Sequence, residues 1–364
     1  MPEKEDGAVG ALAGLRMGIV AVSLGQGGAE RQAALWTTAA QALGAEVSVL
    51  AVEATATTYA VAPGTRVEVV GKAGFADTRR VLGRVRRFAE RCDVIAAFQP
   101  YCGLLCAVAG IRTPWLIVAG QDPRQLRDTG RFPLGVYRWA FRRCWGATAP
   151  NEALVDLHAS LRLVSRGGWR VVPNIVSEEA FTRAQGPRAG ALLVGRLVPE
   201  KQPLLALRAA AKAGVPLSVL GDGPERDALL AEAERLGVAD RLSLLGFTAE
   251  PWSVYARHRV LVLTSRYETF ANVIVESLAA GTPVVSVDCD FGPRGILGAA
   301  RWSHLVPIDE DAVAAALARV AATSPSPEED EECAQIAGCY RSAALEPLIA
   351  EALLGAVHAR RAAG

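Results

Sequence analysis

The sequence predicts an α/β protein made of two doubly wound, Rossmann-like parallel-sheet domains. Three observations predict it. Short apolar strands occur in two successive series, helical patterns separate the strands in both, and a polar stretch with Gly and Pro divides the series. Strands that are apolar throughout, rather than alternately, suit a parallel sheet covered by helices on both faces. The 364 residues, 51% of them hydrophobic, are enough for two domains with a core each.

The first series reads "LRMGIVAVS", "VSVLAV", "VEVV", "DVIAAF", "PWLIVAG" and "GATAP". The second reads "GALLVGRL", "PLSVLGD", "RLSLLGF", "VLVLTS", "PVVSVD" and "HLVPI". Between them, "VSEEAFTRAQGPRAG" (Val176–Gly190) is the expected linker. This places an N-terminal domain at 1–180, a C-terminal domain at 188–340, and a last helix at 341–364 packing back on the first domain. The acidic run "SPSPEEDEE" from Ser324 is expected to start a helix with a solvated face. Ligands of doubly wound sheets bind beyond the carboxyl ends of the strands, so the site is expected in a cleft between two facing domains.

Seven cysteines, odd in number and without a C-x-x-C pair, fit free thiols in a reducing cytoplasm. The acidic start "MPEKEDGAVG" lacks the basic segment of a secretory signal, and no apolar run is expected to approach the roughly 20 residues of a membrane span. Charge is uneven. Residues 1–185 carry 22 Lys and Arg against 16 Asp and Glu, net +6; the remainder carries 17 against 22, net −5. "RRVLGRVRRFAERC" (Arg79–Cys92) holds six arginines and one glutamate. It suits an anionic membrane surface, an anionic acceptor, or a solvated helix burying Val81, Leu82, Val85 and Phe88.

Candidate site residues gather in the second series. Arg196 and Lys201 in "GRLVPEKQP" stand between a strand end and a helix, as an anion site requires; they also suit plain surface cations. "LGDGPERDALL" reads as a tight strand-to-helix turn capped by Asp222. Gly246 and Phe247 in "LLGF" end a strand at the same rim, where glycine lets a flat base approach the backbone. "SRYETFANVIVESLAAGTPVV" continues a buried strand into a loop and a short helix stopped by Gly281 and Pro283. The amides of Thr269, Phe270, Ala271, Asn272 and Val273 are expected to form the phosphate-binding start of that helix. Glu276, one turn further, would repel a phosphate but can accept the hydroxyls of a ribose. Glu268 can do the same for a sugar beyond the diphosphate. "DCD" (Asp288–Asp290) matches a D-x-D metal motif but follows a parallel strand, and is read as a turn.

These motifs, in this order and spacing, resemble family-4 retaining glycosyltransferases of the GT-B fold, whose signature is the E-x7-E pair. "SLGQGGAER" (Ser23–Arg31) resembles that family's glycine-rich first loop, and "AGQDPRQ" and "DCDFGPRGIL" resemble members that build bacterial surface polysaccharides. The resemblance implies that Arg196 and Lys201 hold the donor diphosphate, Glu276 the ribose and Glu268 the transferred sugar. It implies that the backbone near Gly246 and Phe247 meets the base, and that Gly27 and Gly28 let the first domain close over the donor. No metal or cofactor is implied, since cations and helix amides stabilise the leaving diphosphate. The substrate would be a nucleotide-sugar, UDP-hexose or UDP-N-acetylhexosamine.

The chain departs from the family in two places. A histidine is often found at the end of the fourth strand of the first domain, where this chain has "AAFQPY" (Ala96–Tyr101). "GPRG" replaces "GPRE", with Gly295 in place of the acid. The expected function is hexosyl transfer from a UDP donor to a lipid-linked or polysaccharide acceptor. The location would be the cytoplasm, peripheral to the membrane through the basic domain, with no nucleic acid as partner. The alternatives are a soluble small-molecule acceptor such as an antibiotic core, and an inactive sugar-nucleotide-binding partner subunit.

Overall fold

The computed structural model describes residues 10–71, 77–128, 133–182, 186–298, 300–324 and 326–363. Two compact units emerge, Met1–Ile175 with Ser342–Gly364, and Val176–Arg341. The boundary falls at Ile175 and Val176 rather than at 180. Val176 bridges to Arg341, and Val176 and Ala180 are buried, so most of the stretch read as a linker belongs to the second unit. Residues 183–185 of that stretch, like the acidic start 1–9, lie outside the described residues.

The first unit runs β1 (Arg16–Ala21), α1 (Gly28–Ala42), β2 (Glu46–Ala51), β3 (Arg66–Val69), α2 (Thr78–Ala89), β4 (Val94–Phe98) and α3 (Gln99–Ala109). It continues with β5 (Trp115–Val118), α4 (Arg124–Asp128), α5 (Leu134–Phe141), β6 (Gly146–Ala149), α6 (Glu152–Ser160) and β7 (Trp169–Val171). The second unit runs β8 (Ala191–Val194), α7 (Pro203–Ala213), β9 (Leu217–Leu220), α8 (Arg226–Arg235), β10 (Leu242–Gly246), α9 (Trp252–Arg257), β11 (Val260–Leu263), β12 (Tyr267–Glu268) and α10 (Asn272–Ala279). After these come β13 (Val284–Val287), β14 (Asp290–Phe291), α11 (Gly292–Leu297), β15 (His304–Val306), α12 (Glu310–Ala322) and α13 (Pro327–Gly338). The last helix, α14 (Ser342–Ala362), returns to the first unit.

Both main sheets are parallel. Their orders are β3-β2-β1-β4-β5-β6-β7 and β10-β9-β8-β11-β13-β15. Strand order therefore reverses between β1 and β4 in one unit and between β8 and β11 in the other, and at such switch points a crevice opens beyond the carboxyl ends. Burial follows position: β4, β11 and β13 are buried along their whole length, whereas the edge strands β3 and β10 are not. In the second unit the alternation of side chains divides the core. Leu193, Val260, Val262 and Val285 pack with α7, α8 and α12 on one face. Leu192, Leu261, Leu263 and Val284 pack with α9, α10 and α13 on the other.

Helix α14 spans 21 residues and holds an 18-residue window of mean hydropathy 1.2, long and apolar enough to cross a membrane, against the expectation that no apolar run approaches that length. Glu346 and Glu351 lie within it and break its apolar pattern in the sequence. Here Leu345, Ile349, Leu353 and Ala356 enter the core of the first unit, and the helix packs on α1, β4, β5 and β6. In α13, the acidic face read as solvated is only partly so. Glu329 is buried and forms a two-pronged pair with buried Arg259, both bonds 2.8 Å. All seven cysteines are free, and six are buried.

Candidate active site at the carboxyl ends of the second sheet

The loops leaving β8 and β11, the two strands flanking the second unit's switch point, are joined by side chains. Lys201, in the loop after β8, places Nζ 2.6 Å from Oε1 of Glu268, in the loop after β11. Ser265 Oγ donates to the same oxygen at 2.7 Å. Thr264 Oγ1 donates to the carbonyls of Lys201 and Gln202, each at 3.0 Å, tying the two loops together through the backbone. With side-chain exposures of 28% for Lys201 and 12% for Glu268, the pair is sheltered but reachable. Among the described residues Glu268 Oε2 accepts nothing, which leaves it for a hydroxyl donor.

"RYETFAN", read as a loop, contains a short strand. Tyr267 and Glu268 of β12 pair with Asp290 and Phe291 of β14, so "DCDFGPRG" is bound to the Glu268 segment. Asp288 forms an ion pair with Arg294. Burial, and then the nearby Glu268 charge, push the Cys289 thiol up to about 12, so it is an inert neutral group beside the site.

Helix α10 begins at Asn272, later than the span of amides expected from the sequence. Thr269 and Phe270 precede it. Phe270 is buried and meets Tyr340 edge-on at 5.5 Å, so its side chain serves the core. Ala271 at the cap has φ 68°, and the amide of Ile274 already donates to Ala271 O at 2.9 Å. The half-buried Asn272 and Val273 begin the helix. Glu276 is 6% exposed, more buried than a solvated helix residue, and its Oε2 accepts from the fully buried Tyr255 hydroxyl at 2.8 Å. Tyr255 lies on α9, 21 residues away, and no spacing in the sequence marks it.

Arg196 stands exposed just beyond β8, and among the described residues its side chain has no ion-pair partner. Gly246 ends β10 with φ 71°, and Phe247 beside it is 49% exposed, a large apolar side chain left on the rim. "LGDGP" is an internal packing device. A Cβ on Gly221 would lie 1.9 Å from Gly195 O, and one on Gly223 2.4 Å from Leu197 O, so these glycines let the β9 loop lie against the β8 loop. Asp222 bonds the amide of Gly223 at 2.8 Å and does not cap α8, whose cap is Glu225.

At the switch point of the first unit, Gly27 (φ 154°) caps α1, and Gly28 is its exposed first residue. Glu30 folds back over Gly27, where a Cβ would lie 2.1 Å from its Oε2. Burial and then the Glu53 charge, set against a backbone hydrogen bond, raise the pKa of Glu30. Across from it, Gln99 starts α3 with φ 72°. Four non-glycine residues with positive φ, Gln99, Gln202, Ala271 and Phe291, stand at or immediately before helix starts. Such strain costs about 1–3 kcal/mol per residue and collects at functional sites.

Two doubly wound parallel-sheet units with charged loops at the carboxyl ends define the GT-B class of fold. "Glycosyltransferase Family 4" matches residues 26–180 and "Glycosyl transferases group 1" matches residues 178–337. The chain belongs to this glycosyltransferase family. It is 37% identical over 241 residues to the lipopolysaccharide core biosynthesis glycosyltransferase LpsE of Rhizobium meliloti, covering 64% of this chain and 66% of LpsE. It is 36% identical over 122 residues to the N-acetylgalactosamine-N,N'-diacetylbacillosaminyl-diphospho-undecaprenol 4-alpha-N-acetylgalactosaminyltransferase of Campylobacter jejuni, covering 33% of each chain. The matches span between 24% and 66% of the lengths of the curated relatives. Among solved structures, HepE of Anabaena in complex with UDP superposes with TM-score 0.69 at 20% identity, covering 96% of this chain and 98% of HepE.

Proposed function

We propose that the chain is a retaining glycosyltransferase that moves a hexose-type sugar from a UDP donor to a lipid-linked or polysaccharide acceptor. The observation that carries this reading is the bond from Lys201 to Glu268 across the switch point, with buried Glu276 one helical turn beyond. Lys201 would turn from Glu268 to the leaving diphosphate, joined by Arg196, and each charge-assisted bond would contribute about 1.5–3 kcal/mol. Freed of Lys201 but still held by Ser265, Glu268 would accept hydroxyls of the transferred sugar. Glu276, fixed by Tyr255, would accept those of the ribose. The exposed Phe247 at the end of β10 would meet the base. These residues bind and orient the donor and stabilise the departing diphosphate without a metal ion. The UDP bound by HepE supports UDP as the nucleotide, and the activities for which LpsE and the Campylobacter enzyme are named support a surface-glycan or lipid-diphosphate acceptor.

The test is transfer from UDP-glucose and UDP-N-acetylglucosamine to a short-chain polyprenyl-diphosphate sugar, with product anomeric configuration read by NMR. Release of UDP with an anomeric configuration matching the donor supports the proposal. An inverted product overturns retention. Tight UDP binding with neither transfer nor donor hydrolysis would point to the binding-subunit alternative.

A further inference from the structure

At the amino-terminal ends of β5 and β6, the opposite edge of the first sheet from its switch-point loops, lies a cavity of ≈ 310 Å³. Arginines from four separate segments line it: Arg112 after α3, Arg143 after α5, Arg166 after α6 and Arg360 near the end of α14. Trp115 and Trp145 form its wall, and none of the described residues lining it is acidic. Arg166 and Arg360 both lie over the Trp145 ring, with Cζ at 4.5 and 5.4 Å from its centroid, and Arg143 lies 4.5 Å over Trp139.

This arrangement differs from the Arg-rich run that drew notice in the sequence. On α2 and just past its end, Arg84 and Arg91 pair with Glu68, Arg80 with Asp77 and Arg86 with Glu90, so much of that charge is neutralised within the fold. In the cavity, Arg166 Nε donates to the carbonyl of Arg142 at 3.1 Å, while Arg112, Arg143 and Arg360 have no carboxylate partner among the described residues. Arginines often serve the open carbonyls of a helix end, but α3 is closed by its own backbone. Gly110 N donates to Ala107 O at 3.2 Å and Ile111 N to Cys106 O at 3.4 Å, which leaves Arg112 without that task. Like charges gathered in one concavity repel, and an anion relieves that repulsion. Stacking on indole holds guanidinium planes in place while their edges keep N–H donors for a planar or tetrahedral oxyanion.

We propose that this cavity is an anion site for a compact ligand bearing phosphate, with the arginines as donors and Trp145 as the ring that holds Arg166 and Arg360. The volume is at the small end of ligand pockets, which suits a diphosphate or a phosphorylated headgroup better than a nucleotide-sugar. The site lies wholly within the first unit and does not depend on the donor reading.

The test is calorimetric titration with inorganic pyrophosphate, together with sedimentation on vesicles of phosphatidylglycerol or phosphatidylcholine. Pyrophosphate could also enter the proposed donor site, so the titration is made on the Arg196→Ala, Lys201→Ala chain. Binding should persist there and fall at least tenfold when Arg112→Gln and Arg143→Gln are added. Arg360→Gln alone should weaken it in the same direction, and thermal melts of each variant verify the fold. If pyrophosphate does not bind but the chain sediments with phosphatidylglycerol, and the Arg112→Gln, Arg143→Gln pair abolishes this, the phosphate is a lipid headgroup. Binding to neither probe, or binding indifferent to these arginines, overturns the site. Loss of pyrophosphate binding through Arg196 and Lys201 alone, with no sedimentation that depends on Arg112 and Arg143, would also overturn it, while leaving the donor reading intact.

Discussion

Removing the hydroxyl of Tyr255 tests how Glu276 is held. The hydroxyl donates to Glu276 Oε2 at 2.8 Å, and both residues are buried, Tyr255 at 0% and Glu276 at 6% exposure. A hydrogen bond to a charged group is worth about 1.5–3 kcal/mol, and burial prevents water from replacing it freely. Tyr255→Phe should therefore destabilise the second unit by that amount, lowering its midpoint by about 3–12 °C at roughly 2–4 °C per kcal/mol for a unit of this size. The cost should shrink when the acceptor is gone. In a Glu276→Met background this bond is already lost, so Tyr255→Phe should cost less there than in the unaltered chain. A double-mutant cycle by urea denaturation reads the coupling directly. Equal costs of Tyr255→Phe in both backgrounds would refute the claim that this bond fixes the carboxylate. UDP affinity should fall in Tyr255→Phe as well, since a carboxylate that has lost this bond is held less firmly for a ribose.

Three further outcomes are expected. Glu276→Gln should weaken binding of both free UDP and UDP-sugar, whereas Glu268→Gln should spare free UDP and lower turnover of the sugar-nucleotide; titration of both variants with both ligands checks this, and equal weakening of UDP would remove the division of labour. Transfer should survive a chelator, and Asp288→Asn with Asp290→Asn should retain most activity; activity lost on chelation and restored by magnesium or manganese would return "DCD" to the role of metal site. The first unit should lose stability as pH falls from 6.5 toward 4, because burial lowers the His158 pKa from 6.5 to about 4 and the unfolded chain alone binds the proton in that window. The loss approaches about 3 kcal/mol and levels off below the folded pKa, and His158→Leu should flatten that limb of a stability-versus-pH curve measured by denaturant unfolding.

What the sequence made legible was what repeats or what sits close along the chain. Of the twelve strands of the two series, inner ones such as β4, β11 and β13 were readable because a strand buried on both faces must be apolar throughout, and the exposed edge strands β3 and β10 from their place in the alternation with helices. β7 was not, because "WRV" is short and half-buried, and neither were β12 and β14, two residues each, which exist through pairing with one another. The same limit applies to the site. Glu268 and Glu276 stood out by their spacing, but spacing could not show that Lys201, 67 residues away, is bonded to Glu268, or that Tyr255 secures Glu276. Local patterns also misplaced charge. Six arginines in one short segment looked like a surface for an anion, yet Glu68 on β3 and acids beside α2 take up several of them. Arg112, Arg143, Arg166 and Arg360 look unremarkable because chain order scatters them, and they converge only because parallel strands bring the loops before β5, β6 and β7 to one edge. A parallel sheet thus has two rims, and the sequence marks only one of them. At the carboxyl ends, chemistry is signalled by glycines and carboxylates within a single loop-and-helix segment. At the amino ends, any site must be assembled from loops distant in sequence, and it becomes visible only when the sheet is built.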